Sequence, residues 1–169
     1  MYQENTRNHI IYLACCMLLL LISLLASSAQ VDARDESDCF QINESNAKNA
    51  CLANAKKDSS YCYQISNSDS KNACLAKLKA DNSYCYQISD YDAKNACLAA
   101  SKKESSYCHQ MNQANAKNAC LAEAKGEVSY CFQINHSDEK NFCLAKIKKE
   151  NSYCHHISQA DLKRRCLAR

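Results

Sequence analysis

Cysteine is the residue type that most invites chemistry in this chain, with fourteen among 169 residues. Cys15 and Cys16 fall in an apolar N-terminal run, and the other twelve follow at gaps that alternate between 12 and 11 residues without an insertion. Thiolates serve as metal ligands, nucleophiles and redox centres, and each use has a characteristic spacing. Zinc sites bring cysteines together as C-x2–4-C pairs, and redox dithiols use C-x-x-C, a closeness that lowers the pKa of the attacking thiol. None of the twelve is nearer than eleven residues to the next. His109 and His155 directly follow cysteines, but Phe40, Tyr63, Tyr86 and Phe132 hold the same place elsewhere, so the position reads as a ring and not as a ligand. A single glycine leaves no room for a phosphate-cradling loop, and no nucleophile-elbow motif is present. The expectation is no catalytic residue, no metal and no cofactor.

Disulfide bonding is the use that remains. It belongs to compartments outside the cytosol, and the N-terminus agrees. Ile10–Ala26 is an uncharged, mainly apolar run of 17 residues after a polar lead, and the following "ASSAQVDA" supplies small residues for cleavage. The expected division is a signal peptide over 1–29, cut after Ala29, a linker over 30–36 and a repeat domain over 37–169. An uncleaved anchor is the rival, since the run reaches the lower length limit for spanning a bilayer. With a net charge of +3 and charges mixed along the chain, no nucleic-acid partner is implied. No membrane association is expected once the signal is removed.

The elements that must position the cysteines follow from the spacing. One 12-residue gap and one 11-residue gap make a period of 23, repeated in six units that start at Ser37, Ser60, Ser83, Ser106, Ser129 and Ser152. A fixed period of this size marks a stacked repeat. Each unit reads as a short helix around "SYCYQI" and a longer alanine- and lysine-rich helix. Ser89 with Asp92 three residues on suggests an N-cap and a first-turn carboxylate. The equivalents are Asn43/Asn46, Ser66/Asp69, Asn112/Asn115, Asn135/Asp138 and Ser158/Asp161. Junctions such as "KKDSS" and "KKENS" favour breaks, and Gly126 falls where a helix C′ residue belongs.

Two antiparallel helices meeting at the turn bring the two cysteines of one unit together. The expected pairs are Cys39–Cys51, Cys62–Cys74, Cys85–Cys97, Cys108–Cys120, Cys131–Cys143 and Cys154–Cys166. Pairing across units instead strands Cys39 and Cys166, although spacing alone does not prove connectivity. A bridge closing so short a loop contributes about 3 kcal/mol in the chain-entropy model, which helices this small need. The fold class is therefore all-α: six tandem disulfide-stapled hairpins stacked as a short α-solenoid.

Two polar positions recur with no evident structural demand. One holds Gln41, Gln64, Gln87, Gln110 and Gln133; the other holds the Lys-Asn pairs from Lys48-Asn49 to Lys140-Asn141. They form either a hydrogen-bond ladder between units or a polar stripe beside the aromatic position. The candidate binding face is Tyr63, Gln64, Tyr86, Gln87, His109 and Gln110. Asn43 (N-E-S) and Asn135 (N-H-S) match glycosylation acceptors. The units that depart from the pattern are the ends, with Asp38 in place of Tyr in the first and Arg164-Arg165 in the last, and these read as caps. The functional expectation is a periplasmic or secreted scaffold that binds a protein or an envelope polymer. The alternatives are a durable structural or toxin-like secreted protein, or an enzyme with a site between repeats.

Overall fold

A computed structural model describes residues 36–168, all helix and turn, so the expected signal peptide and most of the linker lie outside the described residues. Short and long helices alternate: α1 (residues 36–40), α2 (Ser45–Lys56), α3 (Ser60–Tyr63), α4 (Ser68–Lys79), α5 (Ser83–Tyr86), α6 (Tyr91–Lys102), α7 (Ser106–His109), α8 (Ala114–Lys125), α9 (Val128–Phe132), α10 (Ser137–Lys148), α11 (Ser152–His155) and α12 (Ala160–Leu167). Each short helix and the long helix after it make one hairpin. All six disulfides lie inside a hairpin, in the expected pairs Cys39–Cys51 through Cys154–Cys166, with Cα–Cα separations of 5.5 to 5.6 Å.

Each long helix from α2 to α10 stops because the residue after it turns left-handed. Lys57, Ala80, Lys103, Gly126 and Lys149 have φ between 53° and 70°. At the four ends other than Gly126, the following N–H returns to the last turn, as from Asp81 to the Ala76 carbonyl at 3.2 Å, which satisfies a carbonyl the helix would otherwise orphan. Gly126 is where the sequence placed it. The other four positions hold the same conformation against the preference of an L side chain.

The N-caps differ from expectation by one residue. Glu44, Asn67 and Asp90, not Asn43, Ser66 and Ser89, are the caps and accept from N–H groups of their own first turns. Gln113, His136 and Gln159 hold the same place without a side-chain bond. At the short helices, Asp58 and Asp81 each accept the N–H of the serine two residues on at 2.9 Å. Those bonds hold both carboxyls below the usual range.

The core is assembled between hairpins as well as within them. Around unit 2, Ala53 of α2 packs with Cys62 and Ile65 of the next hairpin's short arm and Cys74 and Leu75 of its long arm. Ala99 and Ala122 repeat that role for the units after them. Burying an Ile or Leu in such a cluster contributes roughly 1.5–3 kcal/mol, and a lone hairpin leaves much of that surface in water.

The stack then closes on itself. Successive long helices touch from α2 to α12, and α12 touches α2. Ala168, the counterpart of Ala53 in unit 6, packs against Cys39, Ile42, Cys51 and Leu52 of unit 1. The polar contacts confirm the register. Asp69 accepts from the N–H groups of Ser89 and Asp90, both at 2.9 Å, and Asp92 and Asp138 do the same twenty and twenty-one residues on. Asp161 accepts instead from Asn43 and Glu44, both at 3.1 Å. Those are the residues that sixfold closure requires. The first-turn carboxylate is thus a clamp on the next unit, not the capping partner expected of it.

Closure also revises the reading of the end units. Asp38 and Arg164 do not cap two free ends; they meet each other, Arg164 Nη1 to Asp38 Oδ1 at 3.4 Å. The result is an inner ring of long helices, with each described short helix from α3 to α11 wedged between its own long helix and the preceding one.

Candidate functional site

The residue after the first cysteine ends each short helix on the outside of this ring. Phe40, Tyr63 and Tyr86 are each 56% exposed and Phe132 is 58% exposed. His109 is exposed too, as are the neighbouring Gln64, Gln87 and Gln110. The six residues of the candidate face therefore recur together on three consecutive units, each with its ring and its amide in solvent. The geometry follows from the hairpin. Cys and the Ile three residues later turn inward, so the two residues between them face out.

A lysine that the sequence reading passed over orders these rings. Lys79 Nζ lies 5.2 Å from the Tyr63 ring centre and 5.5 Å from that of Tyr84, the next unit's tyrosine, and donates to both hydroxyls at 2.7 and 3.3 Å. Lys102 bridges Tyr86 and Tyr107 in the same way, at 3.0 and 2.8 Å. Lys56 lies over Phe40 and Tyr61, and Lys125 and Lys148 cover Tyr130 and Tyr153. Hydrogen bonding to the phenol oxygens raises the pKa of Lys79 and Lys102 above the usual lysine value. The Lys79 bond lowers that of Tyr63. The signal was available in the sequence: a lysine follows each of the first five of these outer positions by sixteen residues and precedes the next unit's tyrosine by five. Its two partners lie in different units, so neither helical nor strand periodicity points to it.

The hydrogen-bond ladder also exists, in a form that separates the two recurrent positions. Asn49 Nδ2 donates to the backbone carbonyl of Gln64 at 3.2 Å. Asn72, Asn118 and Asn141 donate to Gln87, Gln133 and His156 at 3.3 Å. The asparagine therefore serves stability. The glutamine supplies only its carbonyl, and its side chain faces solvent. Of the lysines in these pairs, Lys94 acts on the preceding unit: its charge helps lower the pKa of Asp69, after the larger effect of two backbone donors.

Inside the ring, the long helices present small residues to an open cavity. A volume of about 740 Å³ lies between α6 and α8 against Ala93, Ala96, Ala116 and Ala119. A second of about 540 Å³ continues along α8 and α10 to Phe142 and Leu162. Glu123 lines both and pairs with Lys146 at 2.5 Å. Lys77, from the opposite arc, is exposed as a residue, but the surrounding protein desolvates its ammonium. That desolvation lowers its pKa, and the Lys146 charge adds to the effect. Among the described residues no three His, Cys, Asp or Glu side chains converge as a metal site would need.

Comparison of the chain with protein-family models, with curated proteins and with solved structures found no match in any of the three.

Proposed function

We propose that this chain is an exported interaction scaffold, periplasmic or secreted, that binds a protein through the outer face of its ring and carries out no catalysis. The observation that carries the reading is the exposed ring beside an exposed amide, presented by consecutive units on a frame of stapled hairpins. Six disulfides suit an oxidising extracellular compartment, and no described helix is long and apolar enough to cross a membrane. Tyr63 and Tyr86 are held by Lys79 and Lys102, so a partner meets rings that have little freedom left to lose on binding. An envelope polymer is the competing ligand, since aromatic rings and amides also suit sugars.

The test separates binding from folding. The oxidised protein is immobilised and used to capture partners from an extracellular fraction, and affinity and melting temperature are then measured on the same variants. Tyr86→Ala is expected to cost on the order of 2 kcal/mol of binding, as hot-spot aromatics do, with little change in melting. Asn72→Ala is expected to lower stability by about 1 kcal/mol, the worth of one hydrogen bond, with affinity kept. Unaltered capture by Tyr63→Ala, Tyr86→Ala and His109→Ala variants would remove the outer face as the binding surface. Capture that survives protease treatment of the fraction but is lost on digesting its polysaccharide would assign the polymer instead.

A further inference from the structure

The bond from asparagine to the next unit's carbonyl is missing at two of the six junctions, and these lie opposite each other in the ring. At the junction of units 6 and 1, Asp38 stands where the other units have tyrosine, and Arg164 where they have asparagine. The two substitutions face each other as an ion pair. At the junction of units 3 and 4, Asn95 is 4% exposed, and its Nδ2 has no acceptor. Its counterparts Asn49, Asn72, Asn118 and Asn141 all reach the next unit's carbonyl. Met111 replaces the isoleucine of the other units there, and the larger inner cavity opens against it. Every disulfide among the described residues lies within a unit, so none crosses these two junctions or the other four. Opened at these two junctions, the ring is two stapled arcs, units 1–3 and units 4–6, joined by one loop and by one seam; the Asp92 clamp and the Lys102 bridge at the 3–4 junction part on opening and re-form on closure.

From this geometry we propose that the seam is an exchangeable joint whose alternative partner is a second copy of the chain. Units 4–6 of one copy close against units 1–3 of the other, and the reverse, giving a domain-swapped dimer of two six-unit rings. The seam contacts are those between Asp161 and the N–H groups of Asn43 and Glu44, between Arg164 and Asp38, and between Ala168 and the unit 1 core. All of them can form equally between chains, and so can those of the 3–4 junction. The swapped and unswapped forms therefore share one contact set, as such exchanges require. They differ in the connecting loop and in concentration, since closure within one chain has the advantage of a high effective concentration. Complementary charge at these two positions, found at no other junction, steers unit 6 to unit 1 and away from other units.

The test uses charge reversal to forbid closure within a chain. D38R sets two arginines against each other at the seam and R164D sets two aspartates, so each variant alone repels itself both within and between copies. In the mixture, one seam brings the introduced arginine to the introduced aspartate, and the other keeps the native Asp38–Arg164 pair. With disulfides intact, the variants are heated and cooled separately and together, and mass is read by light scattering after size exclusion. The expected result is a 1:1 species of twice the monomer mass in the mixture alone. A mixture that stays monomeric while both variants keep wild-type helicity overturns the proposal, as does a dimer formed equally by either variant alone. Wild-type chain cooled at increasing concentration gives a second readout that needs no variant. Its dimer fraction is expected to rise with concentration, and a fraction of zero throughout also overturns the exchange.

Discussion

Asp92 offers the sharpest measure of what holds one hairpin to the next. It is 7% exposed and accepts from the N–H groups of Asn112 and Gln113, both at 2.8 Å. Hydrogen bonds to a charged group are worth about 1.5–3 kcal/mol each, and a partly buried donor left alone costs on the order of 1–3 kcal/mol. Asp92→Ala removes both bonds, and water can reach part of the vacated turn, so the expected loss is about 3 kcal/mol. Asp92→Asn keeps one acceptor oxygen, and the ring shows what that leaves. Asn46 and Asn115, at the equivalent positions, each hold one backbone N–H of the next turn, at 2.8 and 3.1 Å. The expected loss is therefore about 1.5 kcal/mol, one charge-assisted bond. The reverse change, Asn115→Asp, adds an acceptor for the N–H of His136 and is expected to gain about 1 kcal/mol. Equilibrium unfolding in guanidinium with the disulfides intact, followed by far-ultraviolet circular dichroism, orders the four proteins. The expected midpoints, from highest to lowest, rank Asn115→Asp, wild type, Asp92→Asn, Asp92→Ala. Equal midpoints for the two Asp92 variants would refute the two-bond clamp, and a wild-type midpoint for Asp92→Ala would refute its role altogether.

Acid should loosen the ring at particular junctions. The paired backbone donors hold the Asp69 and Asp138 carboxyls below the ordinary value. A depressed folded pKa contributes stability that is full above the unfolded value, about 4, and is lost as pH falls through the folded one. The melting temperature is thus expected to fall as the pH drops below about 4, and the fall to shrink in Asp69→Asn and Asp138→Asn; a flat profile in scanning calorimetry contradicts this. At the helix ends, Ala80→Gly should stabilise by about 0.5–1 kcal/mol by relieving a left-handed alanine, after allowing for the greater freedom of glycine when unfolded. Gly126→Ala should cost about 1 kcal/mol, although nothing lies within 4 Å of the added Cβ, and chemical denaturation of the pair checks both signs.

Much of the local structure was legible because it is short-range. The 23-residue period placed the hairpins, and Cys85 and Cys97 could only meet if the chain reversed at the turn between them. The spacing that defined the unit therefore favoured their pairing over pairing across units, and the structure fixed the connectivity. The exposure of Tyr63, Tyr86 and His109 followed similarly, since a cysteine and an Ile or Met flank each of them at the spacing of one buried helical face. The N-cap was misplaced for an instructive reason. Ser89 and Asp90 stand side by side, and either residue type can cap a helix. The choice is made by Asp69, which takes the N–H groups of both residues from the preceding unit.

The amino-acid sequence by itself determined a chain of six stapled helical hairpins, because hydrophobic spacing, turn chemistry and cysteine intervals act over a dozen residues or fewer. That the six described hairpins close into a ring was settled by tertiary packing alone. Closure depends on the rotation between one hairpin and the next, a sixth of a turn at each of six junctions, set by the packing of Ala53 and its counterparts. No periodicity in the residues records that angle. The same holds for the contacts that closure creates: Asp38 and Arg164 were visibly unlike their counterparts in other units, but a sequence separation of 126 hid that each difference answers the other.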